Sequence, residues 1–272
     1  MNRKKVVSLS CILLCVGIFF GLKNDLHISR YIIKSNKVTE NIRIVFLSDL
    51  HSCKFGHEQE ELLHKVRIES PDIILLGGDI IDDRLSTKNA ILTLDGLKEI
   101  GPVFYVTGNH EIRIGNLEKV KEIVKQFGIK VLDGKSEYIN INGNEIRIYG
   151  MDDSERNWEQ YYQQVNVLKK EEFKGLNLLL AHRPERVDVY KDLKADLVFA
   201  GHAHGGQWRL PILLENGLLA PDQGFFPSYT NGIYELEDFT LIVGRGLSRE
   251  STRVPRFFNP PEIVVTDIKS NI

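Results

Sequence analysis

The sequence predicts an α/β fold, and two observations carry that prediction. Five short runs of β-branched or aliphatic residues, Ile42 to Leu47, Ile73 to Leu76, Val103 to Val106, Leu176 to Leu180 and Leu197 to Ala200, have the length and composition of buried strands. Stretches with apolar residues three and four apart lie between them: Leu62, Leu63 and Val66 in the first, Ile91, Leu94 and Leu97 in the second. The repeat is strand, polar loop, helix.

Each strand-like run ends in side chains suited to metal chemistry. The first leads into Asp49-Leu50-His51, the second into Gly78-Asp79-Ile80-Ile81-Asp82 and the third into Gly108-Asn109-His110-Glu111. The fourth leads into Ala181-His182 and the fifth into Gly201-His202-Ala203-His204. In open α/β sheets the loops leaving the strand ends converge on one crevice, so residues far apart in the chain meet there. Together they offer ligands for two metal ions side by side. Two divalent ions about 3.5 to 4 Å apart repel each other, and a bridging carboxylate offsets the repulsion while fixing the spacing. Asp79 is the candidate bridge. The other donors mix carboxylate, amide oxygen and imidazole, which suits Mn, Fe, Co or Zn better than Ca. Such a pair polarises a phosphoryl oxygen and lowers the pKa of a water toward neutrality, so phosphoester hydrolysis is the natural use.

These blocks resemble those of the calcineurin-like metallophosphoesterases, whose pattern is D-x-H, G-D-x-x-D, G-N-H-D/E, a lone His, and G-H-x-H. All five blocks occur here in order, and the resemblance runs from about Ile42 to Asp267. It implies a four-layer α/β/β/α sandwich, with two sheets face to face and helices outside. It also implies one metal on Asp49, His51, Asp79 and His204, and the other on Asp79, Asn109, His182 and His202. His110 would be the acid that protonates the leaving oxygen, and Asp82 would accept a hydrogen bond from it and hold its ring. Glu111 is assigned to support. His27, His57 and His64 match no block and read as surface or helix residues. A single D-x-H or a lone histidine is a weak signal, and His182 by itself would read as a core histidine; the joint occurrence is what specifies the chemistry. A non-catalytic relative without metals would have lost ligands, and this chain has lost none. A surface scaffold that keeps metals for structure alone is the competing class; His110 and Asp82 stand against it, because neither is needed merely to hold metals.

Within the superfamily the chain is most similar to a small membrane-associated bacterial branch. The shared blocks are G-H-x-H-G-G-Q-x-R-L-P at Gly201 to Pro211, R-G-L at Arg245 to Leu247, and the segment Arg256 to Glu262. Some relatives in that branch cleave the pyrophosphate of UDP-2,3-diacylglucosamine; others are cell-surface phosphoesterases. In the protein serine/threonine phosphatases an arginine follows the G-D-x-x-D block, where this chain has Asp83. Arg183, Arg245 and Arg256 are therefore the candidates for binding the substrate anion, since guanidinium pairs bidentately with phosphate. Arg249 and Arg253 read as ordinary solvated arginines. The loop from Leu213 to Tyr229, with Phe225, Phe226 and Pro227, has no clear period and is a candidate hydrophobic rim.

The 272 residues show no linker, repeat or low-complexity tract, and large α/β sandwiches take this length as one unit. A net charge of -2 provides no basic field for nucleic acid, which is not expected as a partner. Of three cysteines, Cys11 and Cys15 fall in the N-terminal apolar run, which leaves Cys53 alone in the folded part and provides no disulfide framework there.

Arg3, Lys4 and Lys5 precede an uncharged stretch from Val6 to Leu22, which as a helix is roughly 25 Å long, about the thickness of a bilayer core. It reads as a signal peptide or an anchor, and the lack of a small-x-small cleavage site favours an uncleaved anchor. The division is then an N-terminal stub and span over 1–23, a juxtamembrane segment with a possible edge strand over 24–40, and a catalytic domain over 41–272. The positive-inside rule places the catalytic domain outside the cell membrane, although Lys23 and Arg30 pull the other way. The expected substrate is a phosphoester, lipid-linked or otherwise part of the envelope. A cytoplasm-facing pyrophosphatase acting on a UDP-diacylglucosamine-type lipid is the alternative.

Overall fold

The computed structural model describes residues 17–155, 157–249 and 254–271. The sequence alternates polarity poorly because most strands are buried on both faces, so each strand divides its side chains between two apolar layers. In β2 (Ile42–Leu47), Ile44 and Phe46 face one layer and Val45 and Leu47 the other. In β3 (Ile73–Leu76), Ile73 and Leu75 separate from Ile74 and Leu76 in the same way.

Two six-stranded sheets result. The first joins β1 (His27–Ser35), β14 (Glu262–Ser270), β2, β3, β4 (Val103–Tyr105) and β5 (Lys130–Val131), in that order. The second joins β12 (Gly232–Glu235), β13 (Thr240–Val243), β9 (Leu197–Ala200), β8 (Leu176–Leu180), β7 (Asn144–Gly150) and β6 (Lys135–Ile141), also in that order. A small separate hairpin pairs β10 (Leu219–Ala220) with β11 (Gly224–Phe225). Ile44, Phe46, Leu75 and Phe104 from the first sheet meet Ile148, Leu178, Leu180 and Phe199 from the second in a central core. Outside the first sheet, Leu62 and Val66 of helix Glu60–Ile68 and Leu94 and Leu97 of helix Lys88–Leu97 cover Val45, Leu47, Ile74 and Leu76. Outside the second, Tyr161, Val165 and Leu168 of helix Trp158–Lys169 cover Tyr149, Leu179 and Val198. Three apolar layers separate helix, sheet, sheet and helix, which is the four-layer sandwich.

β2, β3 and β4 run parallel, as do β7, β8, β9 and β13. The loops after β2, β3, β4, β8 and β9 therefore leave from carboxyl ends, and they carry all the predicted ligands. β1 is the edge of the first sheet and pairs in parallel with β14 over its whole length. Leu26 and Val38, on either side of β1, are buried in two different cores, so this segment is integral to the sandwich.

The proposed span Val6 to Leu22 falls almost entirely on residues outside the described ones; a helical turn at 17–21 is its described end. Among the described residues, no helix is long and apolar enough to cross a membrane.

Candidate metal centre

The five loops put Asp49, His51, Asp79, Asn109, His182, His202 and His204 into one buried cluster. Reaching it requires unusual backbone. Asp49, His51, Asp79, His202 and His204 all adopt left-handed conformations, with φ of 51°, 48°, 53°, 63° and 48°. Each costs about 1 to 3 kcal/mol in a non-glycine residue, and such strain gathers where a geometry is over-determined by its surroundings. The glycines of the motifs serve close approach. A Cβ at Gly108 would overlap the Asp79 carboxylate, and one at Gly201 would overlap that of Asp49.

The ligand atoms form overlapping groups. Asp49, His51 and His204 lie close enough to share a cation, as do His51, Asp79 and His110, and as do Asp79, His182 and His202. Asp79 sits between: its Oδ2 is 3.6 Å from His51 Nε2 and 3.4 Å from His182 Nε2. Asn109 Oδ1 is 3.1 Å from the same His182 nitrogen. The surroundings fix which ring atoms face inward. His182 Nδ1 donates to the Gly77 carbonyl at 2.7 Å, and His51 Nδ1 donates to Asp82 Oδ1 at 3.0 Å, so both rings turn Nε2 toward Asp79. His51 Nε2 is buried and has no hydrogen-bond partner among the described residues. A buried acceptor without a partner is costly unless something else occupies it. With its mix of carboxylate, amide and imidazole donors, the cluster fits divalent transition-metal ions.

The two sides of the cluster differ in their electrostatics. Burial disfavours the imidazolium of His182, yet the carboxylates of Asp79 and Asp49 outweigh it and push the pKa up to about 10. At His204 burial wins over the attraction of Asp49, helped by the nearby His51 and Arg256, and the pKa falls to about 3. Glu111 is the support expected of it. Its two oxygens accept the backbone N–H groups of Asp79, Ile80, Ile81 and Gly108 at 2.7 to 2.9 Å, which clamps the Asp79 loop against the Asn109 loop. Burial and the Asp79 charge raise its pKa to about 7, against the pull of those donors.

His110 stands at the rim, its side chain 16% exposed and its ring edge-on to His51 with centroids 4.3 Å apart. Its expected tie to Asp82 changes in detail. Nδ1 is 3.1 Å from Asp82 Oδ1 but 2.5 Å from Asp83 Oδ1, because Asp82 is already held by His51 and by the backbone N–H groups of Arg84 and Leu85. Asp83, which appeared in the sequence only as a departure from the protein-phosphatase pattern, is the closer partner.

The three arginines expected to bind substrate are all engaged within the protein. Arg183 lies beside the cluster, 3.4 Å from His202 Nε2, but its guanidinium is paired with Asp153, Glu155 and Asp222. Arg245 is taken up by Glu262 through Nε and Nη2. Arg256 is buried and donates to the carbonyls of Ser248 and Arg245 and to Ser248 Oγ. Arg256 therefore acts on the centre as a fixed positive charge facing Asp49. His27, His57 and His64 are exposed and away from the cluster. Cys53 is buried, and its sulfur accepts from the backbone N–H of Arg249 at 3.2 Å.

Asp222 was not read from the sequence. Its Oδ2 lies 2.9 Å from His202 Nε2 and also pairs with Arg183, while His202 Nδ1 is 3.1 Å from His182 Nε2. It thus holds the outer face of His202. Only its position in a Pro-Asp turn of the loop after the last histidines hinted at it.

A two-sheet α/β sandwich with a carboxylate-bridged imidazole cluster at its strand ends defines a metal-dependent phosphohydrolase. Residues 42–206, more than half of the chain, match the family described as calcineurin-like phosphoesterase, and the chain belongs to that family. An uncharacterized metallophosphoesterase of Aquifex aeolicus is 30% identical over 264 residues, covering 90% of this chain and 92% of the relative. Another, from Campylobacter jejuni, is 29% identical and covers 97% of this chain and 70% of its own length. The phosphodiesterase YaeI of Escherichia coli is 31% identical over 64% of each chain. Among solved structures, the protein TT1561 of Thermus thermophilus shares the fold with a TM-score of 0.53 at 13% identity, covering 76% of this chain and 91% of that one.

Proposed function

We propose that the chain hydrolyses a phosphoester at a two-metal centre, with Asp49, His51, Asp79 and His204 around one ion and Asp79, Asn109, His182 and His202 around the other. The observation that carries this reading is Asp79 Oδ2, which faces a histidine of each group at 3.6 and 3.4 Å. Divalent transition metals held there supply charge stabilisation of the phosphoryl group and an acidified water. The remaining chemistry belongs to the protein. His110 is partly open to solvent, and its Nδ1 is committed to Asp82 and Asp83, so Nε2 is the ring atom left to deliver a proton to the leaving oxygen. Asp82 ties His110 and His51 together, so the acid and one metal ligand share an anchor. Arg256, held only by neutral oxygens, contributes positive charge from a fixed position, whereas Arg183 is neutralised by Asp153, Glu155 and Asp222.

The apolar run Val6 to Leu22 and the cations before it support a chain held to the cell membrane with the catalytic domain outside. Anchoring raises the effective concentration of envelope phosphoesters, so a lipid-linked substrate follows from it. The test is turnover of aryl phosphate, bis-aryl phosphate and pyrophosphate panels by metal-stripped protein before and after addition of Mn, Zn, Fe or Co. Activity should return only with metal. A stripped protein that stays fully active overturns the reading.

A further inference from the structure

Beyond the metal centre, the loop after the last histidines has a second character. Ile212 is 88% exposed and Leu213 83%, Phe225 69% and Phe226 71%, with Leu210, Leu219 and Trp208 also open to solvent. From 208 to 229 the chain has only three charged side chains, Arg209, Glu215 and Asp222. Asp222, half exposed, pairs with His202 and Arg183, and Arg209 donates to Asn231, so Glu215 is the one charged side chain of the loop outside these pairings, among many exposed apolar groups. Soluble surfaces rarely gather large apolar side chains in this way unless something covers them.

The path of the chain indicates the covering. The described chain begins at the end of the apolar run, and Gly21 packs so closely on the Phe257 ring that a Cβ there would overlap it. Phe258 N–H donates to Gly21 O at 2.6 Å. Phe257 bridges to Trp208, whose carbonyl accepts from Leu218, whose carbonyl in turn accepts from Phe226. The described end of the apolar segment, at Gly21, and the exposed loop are therefore joined by one run of contacts.

We infer that the loop 208–229 lies in the lipid–water interface of the bilayer, with Ile212, Leu213, Phe225 and Phe226 among the acyl chains and Trp208 at headgroup level. The inference rests on the anchored reading above. Its physical basis is apolar burial beside a span, with the indole at the depth that aromatic belts prefer. Since the loop is nearly uncharged, contact should be insensitive to salt. Asp222 belongs to the same loop, so seating it on lipid also places the metal centre beside headgroup phosphoesters.

Fluorescence of the full chain in phosphatidylcholine vesicles tests this. The protein has two tryptophans, so Trp158→Phe leaves Trp208 as the only emitter, with a phenyl ring retained against Tyr161 and Tyr162. Vesicles with brominated acyl chains should quench Trp208 by about half relative to unbrominated ones, at low and high salt alike. In a second experiment, Ile212→Ser with Phe226→Ser should lower turnover of a phosphoester lipid in vesicles by about fivefold or more while leaving soluble aryl phosphate turnover unchanged. Protein that floats with vesicles but shows unquenched Trp208 overturns the loop inference and leaves the anchor intact. A chain that does not float overturns both. A floating chain whose Trp208 is shielded in a dimer, without bromine quenching, assigns the patch to a second copy and also overturns it.

Discussion

The two halves of the proposed metal centre share Asp79 and have two histidines apiece, but one adds the carboxylate of Asp49 and the other the amide of Asn109, and their surroundings differ as well. Around Asp79, His182 and His202 the rings are almost wholly buried, the Gly77 carbonyl orients one, and Asp222 and Arg183 flank the other. Around Asp49, His51 and His204 the pocket is more open, with the His204 side chain 12% exposed and bonded to Ser248 Oγ, and the buried Arg256 guanidinium nearby offsets Asp49. Cation affinity at each half therefore depends on the groups behind the ligands as well as on the ligands themselves. The Asp79–His182–His202 half should bind its ion more tightly and exchange it more slowly.

Removing what the halves share should have the largest effect. Asp79→Asn should take turnover of an aryl phosphate close to background, because one substitution weakens both halves; a variant keeping a tenth of the activity would show that the halves work independently. Next comes the rim. His110→Ala should lower kcat by about 10² to 10⁴ with metal content unchanged. Loss of one metal equivalent in that variant would move His110 into the ligand set. Asp222→Asn should sharpen the contrast between halves, lowering metal affinity by about 10- to 100-fold at the His202 side alone, as read by competition with a chelator. Equal weakening at both sides would erase the distinction.

A smaller effect on activity, but a clear one on stability, is expected beneath the tighter half. Lys121 is buried and donates to Asp152 Oδ2 at 2.8 Å, and Asp152 also accepts from Thr107 Oγ1 and Gln164 Nε2. Asp153, next in the chain, holds Arg183 against the centre. Burial raises the Asp152 pKa, but Lys121 and the hydrogen bonds outweigh it and hold it below the ordinary value. The stabilisation is therefore complete above the unfolded pKa of about 3.9 and is lost as pH falls through the folded one. Lys121→Met should cost about 3 to 5 kcal/mol in chemical denaturation at pH 7. That gap should narrow as pH falls, first as the variant's Asp152, freed of Lys121 and pushed up by burial, takes up a proton, and then below about 4 as the wild-type stabilisation is lost.

The sequence made the chemistry legible because each ligand follows a short, mostly apolar strand broken at most by one polar residue, Arg43 in β2 and Asn177 in β8. β2, β3, β8 and β9 occupy Ile42–Leu47, Ile73–Leu76, Leu176–Leu180 and Leu197–Ala200, the ranges read from hydrophobicity, and β4 ends one residue earlier than its run. Other features escaped for physical reasons. β14 enters between β1 and β2 through pairings more than 200 residues apart, which no local pattern encodes. The hairpin of β6 and β7 did carry a signal, the Asn142-Gly143 turn with φ of 53° and 84°, beside alternating side chains. The arginines were legible as charges but not as partners, since whether Arg245 faces substrate or Glu262 depends on where β14, which begins at Glu262, enters the first sheet. Asp222 was silent because a carboxylate in a Pro-Gly-rich loop is usually a turn residue.

If Asp79 joins the two halves into one centre, two paramagnetic ions held there are magnetically coupled through it. Electron paramagnetic resonance of the chain loaded with two equivalents of Mn should show a spin-coupled pair, and Asp79→Asn should replace it with the signal of isolated ions. A fully active wild-type protein whose Mn ions are uncoupled, or which needs only one ion per chain, would contradict the account.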